Sequence, residues 1–281
     1  VEGMTHPPFA PAERAGRLYG RGATDMKAGV AAMCAAAVTA ADAGLDGEVI
    51  VAAVADEEWG SIGTRHLLAS GVRAEAAIVT EPTRLAIAPA HKGFTWADVT
   101  VHGRAAHGSR YDVGVDAITH TALLLAELET RQRTDFPQRT HPLLGRASWH
   151  AGTISGGTGP STYPDECRVT LERRTIPGED GTEFARELDD AMARVRATTP
   201  DFAATIAPGL IQQPNDLPLT HPLVRALEAG CSTVGIPARI DGLACWTDAA
   251  LLTAAGIPAL CFGPGDIALA HAAISSTATH S

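Results

Sequence analysis

The sequence predicts an α/β fold in which a mostly parallel-sheet domain is interrupted by an inserted ferredoxin-like domain. Three observations predict it. Short apolar runs at 48–55, 76–80 and 257–262 alternate with helical stretches, the pattern of parallel β-α-β units. Between residues 92 and 207 the order becomes β-α-β-β-α-β, which is ferredoxin-like. After residue 207 the first kind of alternation returns. The expected division is therefore 1–91 and 208–281 for one domain and 92–207 for the insert.

Taken in order, Met26 to Ala43 reads as an Ala-rich helix stopped by Gly44. Glu48 to Ala55 is rich in Val and too short for a confident helix, so it reads as a buried strand. Ser61 to Ser70 is helical and Ala76 to Thr80 is a second short strand. In the insert, Phe94–His102, Ser148–Ile154, Glu166–Thr175 and Phe202–Ala207 are the strands. Gly114–Arg131 and Glu183–Ala197 are its helices. Pro222 to Ala229 carries Pro in its first turn and Gly230 after it, the signals of a short helix. Thr247 and Asp248 can cap a helix that runs to Ala255, and Ile257–Phe262 is the last strand. The run Gly156-Gly157-Thr158-Gly159 lacks the Lys-Ser/Thr of a phosphate loop and reads as a turn.

Composition narrows the function. A net charge of −10 argues against a nucleic-acid surface, which needs clustered Lys and Arg. No apolar run approaches the roughly 20 residues that span a bilayer. Five scattered Cys with no CxxC pair read as reduced thiols, which points to a cytoplasmic protein.

The chemistry centres on Gly20-Arg21-Gly22-Ala23-Thr24-Asp25-Met26-Lys27, a tight turn that delivers one acid to the start of a long helix. Glu57-Glu58 and Glu81 sit just past predicted strand ends, where sites form in open α/β sheets. His271 follows the loop Gly263-Pro264-Gly265. One acid able to bridge two metals, with Glu, Glu and His nearby, is a ligand set for a two-metal hydrolase. Each residue also has a plainer use. Asp25 could cap a helix, Glu57 and Glu58 could be a solvated pair, and Glu81 before Pro82 could belong to a turn.

The ordered motifs GRGATDMK, ADEEWGSIGT, TEPT, GRAAHGS, LERRTIPGE, TDAALLTAAGIPALCFGPG and Ala270-His271 resemble the M20 family of metallopeptidases and deacylases. That group includes acetylornithine deacetylases, succinyl-diaminopimelate desuccinylases and carboxypeptidase G. The resemblance covers Gly16 to His271. It implies two divalent ions, zinc first and cobalt or manganese as alternatives. Asp25 would bridge them, Glu58 and His271 would complete one site, and Glu81 would belong to the other. Glu57 would be the general base. His107 would polarise the substrate carbonyl, often across a dimer interface of the inserted lid domain. Arg174 lies where the family holds a substrate carboxylate, although a salt bridge on a half-exposed strand is an equal use for it. The implied substrate is an N-acyl amino acid or small peptide, and the implied assembly is a homodimer.

The chain also departs from the family. The His-x-Asp motif that supplies one ligand and orients the base is absent, as are the acidic pair and closing helix after the last His. Ser161 stands where many members have an Asn. The resemblance therefore implies a chain cut at both ends with the Glu81 cation site impaired. A non-catalytic fragment that keeps the fold, one metal site and the dimer surface is the alternative.

Overall fold

A computed structural model of the chain describes residues 4–270 and 275–278. In chain order the elements are β1 (Ala12–Arg14), β2 (Arg17–Tyr19), α1 (Ala28–Asp42), α2 (Ile62–Ala69), β3 (Ala77–Val79), β4 (Ala86–His91), β5 (Gly93–His102) and α3 (Ala117–Thr134). Then come β6 (Thr140–His141), β7 (Gly145–Arg146), β8 (Ser148–Gly156), β9 (Glu166–Thr175), α4 (Glu183–Thr198) and β10 (Ala203–Gln212). The chain closes with β11 (Asn215–Asp216), α5 (Pro222–Thr233), β12 (Arg239–Leu243), α6 (Ala249–Ala254), β13 (Ala259–Cys261) and β14 (Ser276–Ala278). These group into two compact units, one of residues 1–91 with 215–281 and one of residues 92–214.

The first unit is built on a sheet ordered β11-β4-β13-β3, with β12 also on β4. It is mixed. β12 runs parallel to β4 and β13 parallel to β3, while β13 and β11 run antiparallel to β4. Side chains alternate across a strand, so Ile87 and Leu260 fall on one face, with Leu217 and Val224 of α5. Ala88, Ala259 and Cys261 fall on the other, with Leu243 and Ala249 of α6. Both faces are thus covered by helix, as an α/β sheet requires. A separate three-stranded sheet joins β1, β2 and β14.

The second unit has a four-stranded antiparallel sheet ordered β10-β5-β9-β8. Numbered within that sheet, the order is fourth, first, third, second. One face buries Val99, Val101, Val169 and Leu171 against Leu124 and Leu128 of α3 and Phe184, Leu188 and Val195 of α4. Arg173 is wholly buried between two acids. It forms paired hydrogen bonds to Glu179 at 2.9 and 3.1 Å and to Glu187 at 2.7 and 2.9 Å, and lies 4.8 Å from the Phe136 ring centre.

Two sequence expectations fail here. Residues 48–55 form no strand, and Val49, Ile50, Val51 and Val54 are exposed. Their composition is that of a buried strand, but no described strand pairs with them, and a strand exists only through its neighbour's hydrogen bonds. Helix α5 also runs through Gly230 to Thr233, because the left-handed turn residue is Gly235 (φ 73°). Gly230 is tolerated inside the helix at the usual modest cost.

Candidate active site

The acids are presented by turns of the first unit. Gly22, in the left-handed conformation at φ 75°, opens a helical turn over Ala23–Lys27. Asp25 breaks that turn with non-helical backbone (φ −118°, ψ 96°), and the N-cap position of α1 is Lys27, not Asp25. The buried Thr24 hydroxyl donates to the Ser276 carbonyl and ties this turn to β14. A small cavity of about 30 Å³ is lined by Arg21, Gly22, Asp25, Glu58 and Ser275, which places Asp25 and Glu58 on one opening.

Glu57 and Glu58 ride on a turn clamped by Asp56. The Ser61 N–H donates to the Asp56 carbonyl at 2.6 Å, and the Gly60 N–H donates to Asp56 Oδ2 at 3.1 Å. Asp56 and Ser61 both take positive φ, 67° and 54°, a strained choice for non-Gly residues that clusters at functional sites. Glu57 is half-buried and Glu58 is exposed.

Glu81 follows β3 and is 5 % exposed. Its backbone is approached closely from two sides. A Cβ on Gly29 of α1 would stand 2.2 Å from the Thr80 carbonyl oxygen. A Cβ on Gly263, after β13, would stand 2.5 Å from the Thr80 oxygen and 2.6 Å from the Glu81 oxygen. Only hydrogen fits at either place, so both glycines are fixed by packing.

Electrostatics show that these acids share one environment. Burial pushes the Glu57 carboxyl up to about 8, and the charges of Asp248, Glu58 and Asp25 push the same way. Burial holds Glu81 well above the usual carboxylate range, with Glu57, Asp25, Glu58 and Asp248 adding to the rise. Like charges this close favour protons or cations among them.

Asp25 and Glu58 line one opening, and the charges of Asp25, Glu57 and Glu58 act on Glu81. His271 lies outside the described residues. His107 and Arg174 belong to the second unit. His107 is exposed, and its Nδ1 lies 2.9 Å from the Ser109 hydroxyl and 3.3 Å from the Ser109 N–H. Arg174 donates to Glu172 Oε1 at 2.6 Å and lies 5.3 Å from the Phe94 ring centre, so the salt-bridge use is realised. Asp248, whose charge acts on Glu57 and Glu81, was not among the expected site residues. Its sequence context, Thr-Asp before a helical run, signals only a cap. Among the described residues, no three His, Cys, Asp or Glu side chains are arranged to cage a metal ion.

The donor chemistry nonetheless fits divalent cations: Asp25, Glu57, Glu58 and Glu81 are all carboxylates. Comparison with known proteins decides the family. The family model described as peptidase family M20/M25/M40 matches residues 1–278. The chain belongs to peptidase family M20/M25/M40. It is a hydrolase of that family.

An acetylornithine deacetylase of Myxococcus xanthus is 33% identical over 264 residues, covering 92% of this chain and 67% of the relative. An N-formyl-4-amino-5-aminomethyl-2-methylpyrimidine deformylase of Bacillus subtilis (strain 168) is 29% identical, covering 96% of this chain and 70% of the relative. Among solved structures, the M20 family metallo-carboxypeptidase Sso-CP2 of Sulfolobus solfataricus matches with a TM-score of 0.73 at 15% identity, covering 98% of this chain and 77% of that one. The structural likeness shows a shared fold.

Proposed function

We propose that this M20 protein hydrolyses an amide bond in N-acyl amino acids or small peptides, with divalent cations, zinc first, held by its acids. The observation that carries this reading is the convergence of Asp25, Glu57, Glu58 and Glu81 from three separate turns into one electrostatically coupled cluster. Asp25 would serve both cations, Glu58 one and Glu81 the other, with His271 assigned beside Glu58.

Divalent cations bound there supply positive charge that offsets the acids' repulsion, polarises the amide carbonyl and acidifies water. Glu57 is the proton carrier. It takes a proton from the attacking water and returns it to the leaving amine nitrogen. His107 is assigned to donate to the substrate carbonyl oxygen, and Arg174 to hold a substrate carboxylate. Glu172 already engages the Arg174 guanidinium, so Arg174 must share its donors.

A homodimer forms through the second unit in this reading, which would make it the inserted lid. β8 supports that role: it is an edge strand of its sheet, exposed from His150 to Gly156, with open hydrogen-bonding groups. Five cysteines without a disulfide support a reducing, cytoplasmic setting. No helix among the described residues is long and apolar enough to cross a membrane.

The test is amine release from N-acetyl, N-formyl and N-succinyl amino acids and from dipeptides, with zinc, cobalt or manganese added. Turnover that a chelator abolishes and metal restores is expected for at least one class. No turnover on any of them by metal-loaded protein would overturn the reading.

A further inference from the structure

Arg173 and Arg174 are neighbours on β9 and face opposite sides of its sheet. Arg173 is buried on the helix-covered side, where Glu179 and Glu187 each give its guanidinium both carboxylate oxygens. Arg174 is held differently. Its Nε donates to Glu172 Oε1 at 2.6 Å, and among the described residues its two terminal nitrogens meet no hydrogen-bond partner.

The adjacent strand explains why Glu172 offers a single oxygen. Trp96 of β5 stands directly opposite Glu172, and its indole Nε1 donates to Glu172 Oε2 at 2.8 Å. That bond takes up the second oxygen, so Glu172 does not grip Arg174 with both, as Glu179 and Glu187 grip Arg173. Phe94 stands opposite Arg174, with its ring centre 5.3 Å from the guanidinium carbon and 5.1 Å from the Trp96 ring centre. His150 Nδ1 lies 3.9 Å from Glu172 Oε1, beyond hydrogen-bond reach. The guanidinium is thus fixed along its Nε edge and against one ring. Its planar pair of terminal amino groups is left for a carboxylate, the anion that this fork meets with two bonds.

We propose that Glu172, held by Trp96, is a positioning residue that presents the Arg174 fork to the free carboxylate of an N-acyl amino acid or peptide, and so sets a preference for acids over carboxamides. This rests on the substrate reading above. It makes the Glu172–Arg174 ion pair a part of substrate recognition and not a rival use of the arginine. Orientation by Glu172 tightens carboxylate binding, whereas competition from its negative charge weakens it. Charge competition is screened at a partly exposed arginine and fork geometry is not, so orientation wins.

The experiment compares wild type, Glu172→Gln and Trp96→Phe in turnover of N-acyl amino acids and of their carboxamides. Side-chain NMR of Arg174, titrated with N-acetylalanine and with N-acetylalaninamide, accompanies it. Glu172→Gln keeps an oxygen for the Trp96 indole and removes the charged acceptor of Arg174. Its KM for the acids should rise about 10- to 100-fold, the scale of loss when a positioning group goes, with kcat and the carboxamide values unchanged. Trp96→Phe keeps a ring beside Phe94 and frees Glu172 to take Arg174 with both oxygens. Its KM for the acids should rise several-fold, and it carries the test if Glu172→Gln does not fold. An unchanged or lower KM for the acids in Glu172→Gln would leave Glu172 a bystander or a competitor. Equal losses on acids and carboxamides with a lowered melting temperature would make it a structural tie. Either result overturns the inference. A metal-loaded wild type that turns over neither class would overturn the amide-hydrolysis reading, and the NMR titration then decides the inference by itself. Arg174 signals should move with N-acetylalanine alone in wild type and with neither compound in Glu172→Gln, and equal movement in both proteins would overturn it.

Discussion

Gly29 and Thr80 are in contact across the first unit, so near that a Cβ at Gly29 would fall 2.2 Å from the Thr80 carbonyl oxygen. The contact seats α1, which follows the Asp25 turn, against the end of β3, one residue before Glu81. Gly29→Ala tests whether packing or helix propensity governs this position. Propensity alone would stabilise the helix by about 1 kcal/mol. The clash with a backbone atom cannot be relieved by a rotamer, so a loss of about 1–3 kcal/mol is expected. Chemical denaturation measures the sign, and a more stable variant would refute the contact.

The Glu57 carboxyl makes zinc-free stability depend on pH in a stated direction. Unfolded, it releases its proton near 4.5; folded, it holds it to about 8. The folded state therefore keeps this contribution below about 4.5 and loses it progressively as pH rises to 8. Melting temperatures of zinc-free protein from pH 5 to 8 should fall more steeply for wild type than for Glu57→Gln. Equal slopes would show that Glu57 is not buried among charges.

Arg173 governs the stability of the second unit. It is buried with Glu179 and Glu187 around it. Removing it in Arg173→Ala strands two carboxylates, at a cost of about 3–5 kcal/mol. Burial alone would raise Glu179, but the bonds and charge of Arg173 and the Ile176 N–H outweigh it and hold the carboxyl below its ordinary value. That contribution is present above the unfolded value of 4.5 and is lost as pH falls through the folded one. Urea midpoints from pH 7 down to pH 3 should show the fall in wild type. An Arg173→Ala protein as stable as wild type at pH 7 would contradict the role.

Much of this was legible in the sequence because its signals are local. The alternation at Phe94–His102 and Glu166–Thr175 marked strands that the structure places with buried and open faces. The turn before Asp25 and the position of Glu81 after an apolar run marked two of the acids. What was not legible depends on partners far along the chain. The run at 48–55 has strand composition and no described strand beside it. β4 was overlooked, because Ala86-Ile87-Ala88-Pro89-Ala90-His91 lacks β-branched density and contains Pro. Its edges are nonetheless paired to β12 and β13. Asp248 looked like a cap because its real partner, Thr64, is 184 residues away.

The second unit is expected to carry self-association. Sedimentation of the wild type should show a dimer, and a charge placed on the exposed edge strand, Ile154→Lys, should return it to monomer. A wild type that sediments as a monomer at high concentration, with full turnover, would remove the dimer and any role of His107 across it.

The most direct measurement is anomalous diffraction from zinc-soaked crystals, collected on either side of the zinc edge. Peaks are expected beside Asp25, one toward Glu58 and one toward Glu81, with Glu57 near but not ligating. Zinc bound only elsewhere on the chain, with these acids still facing one another unbridged, would contradict a metal-dependent hydrolase site here.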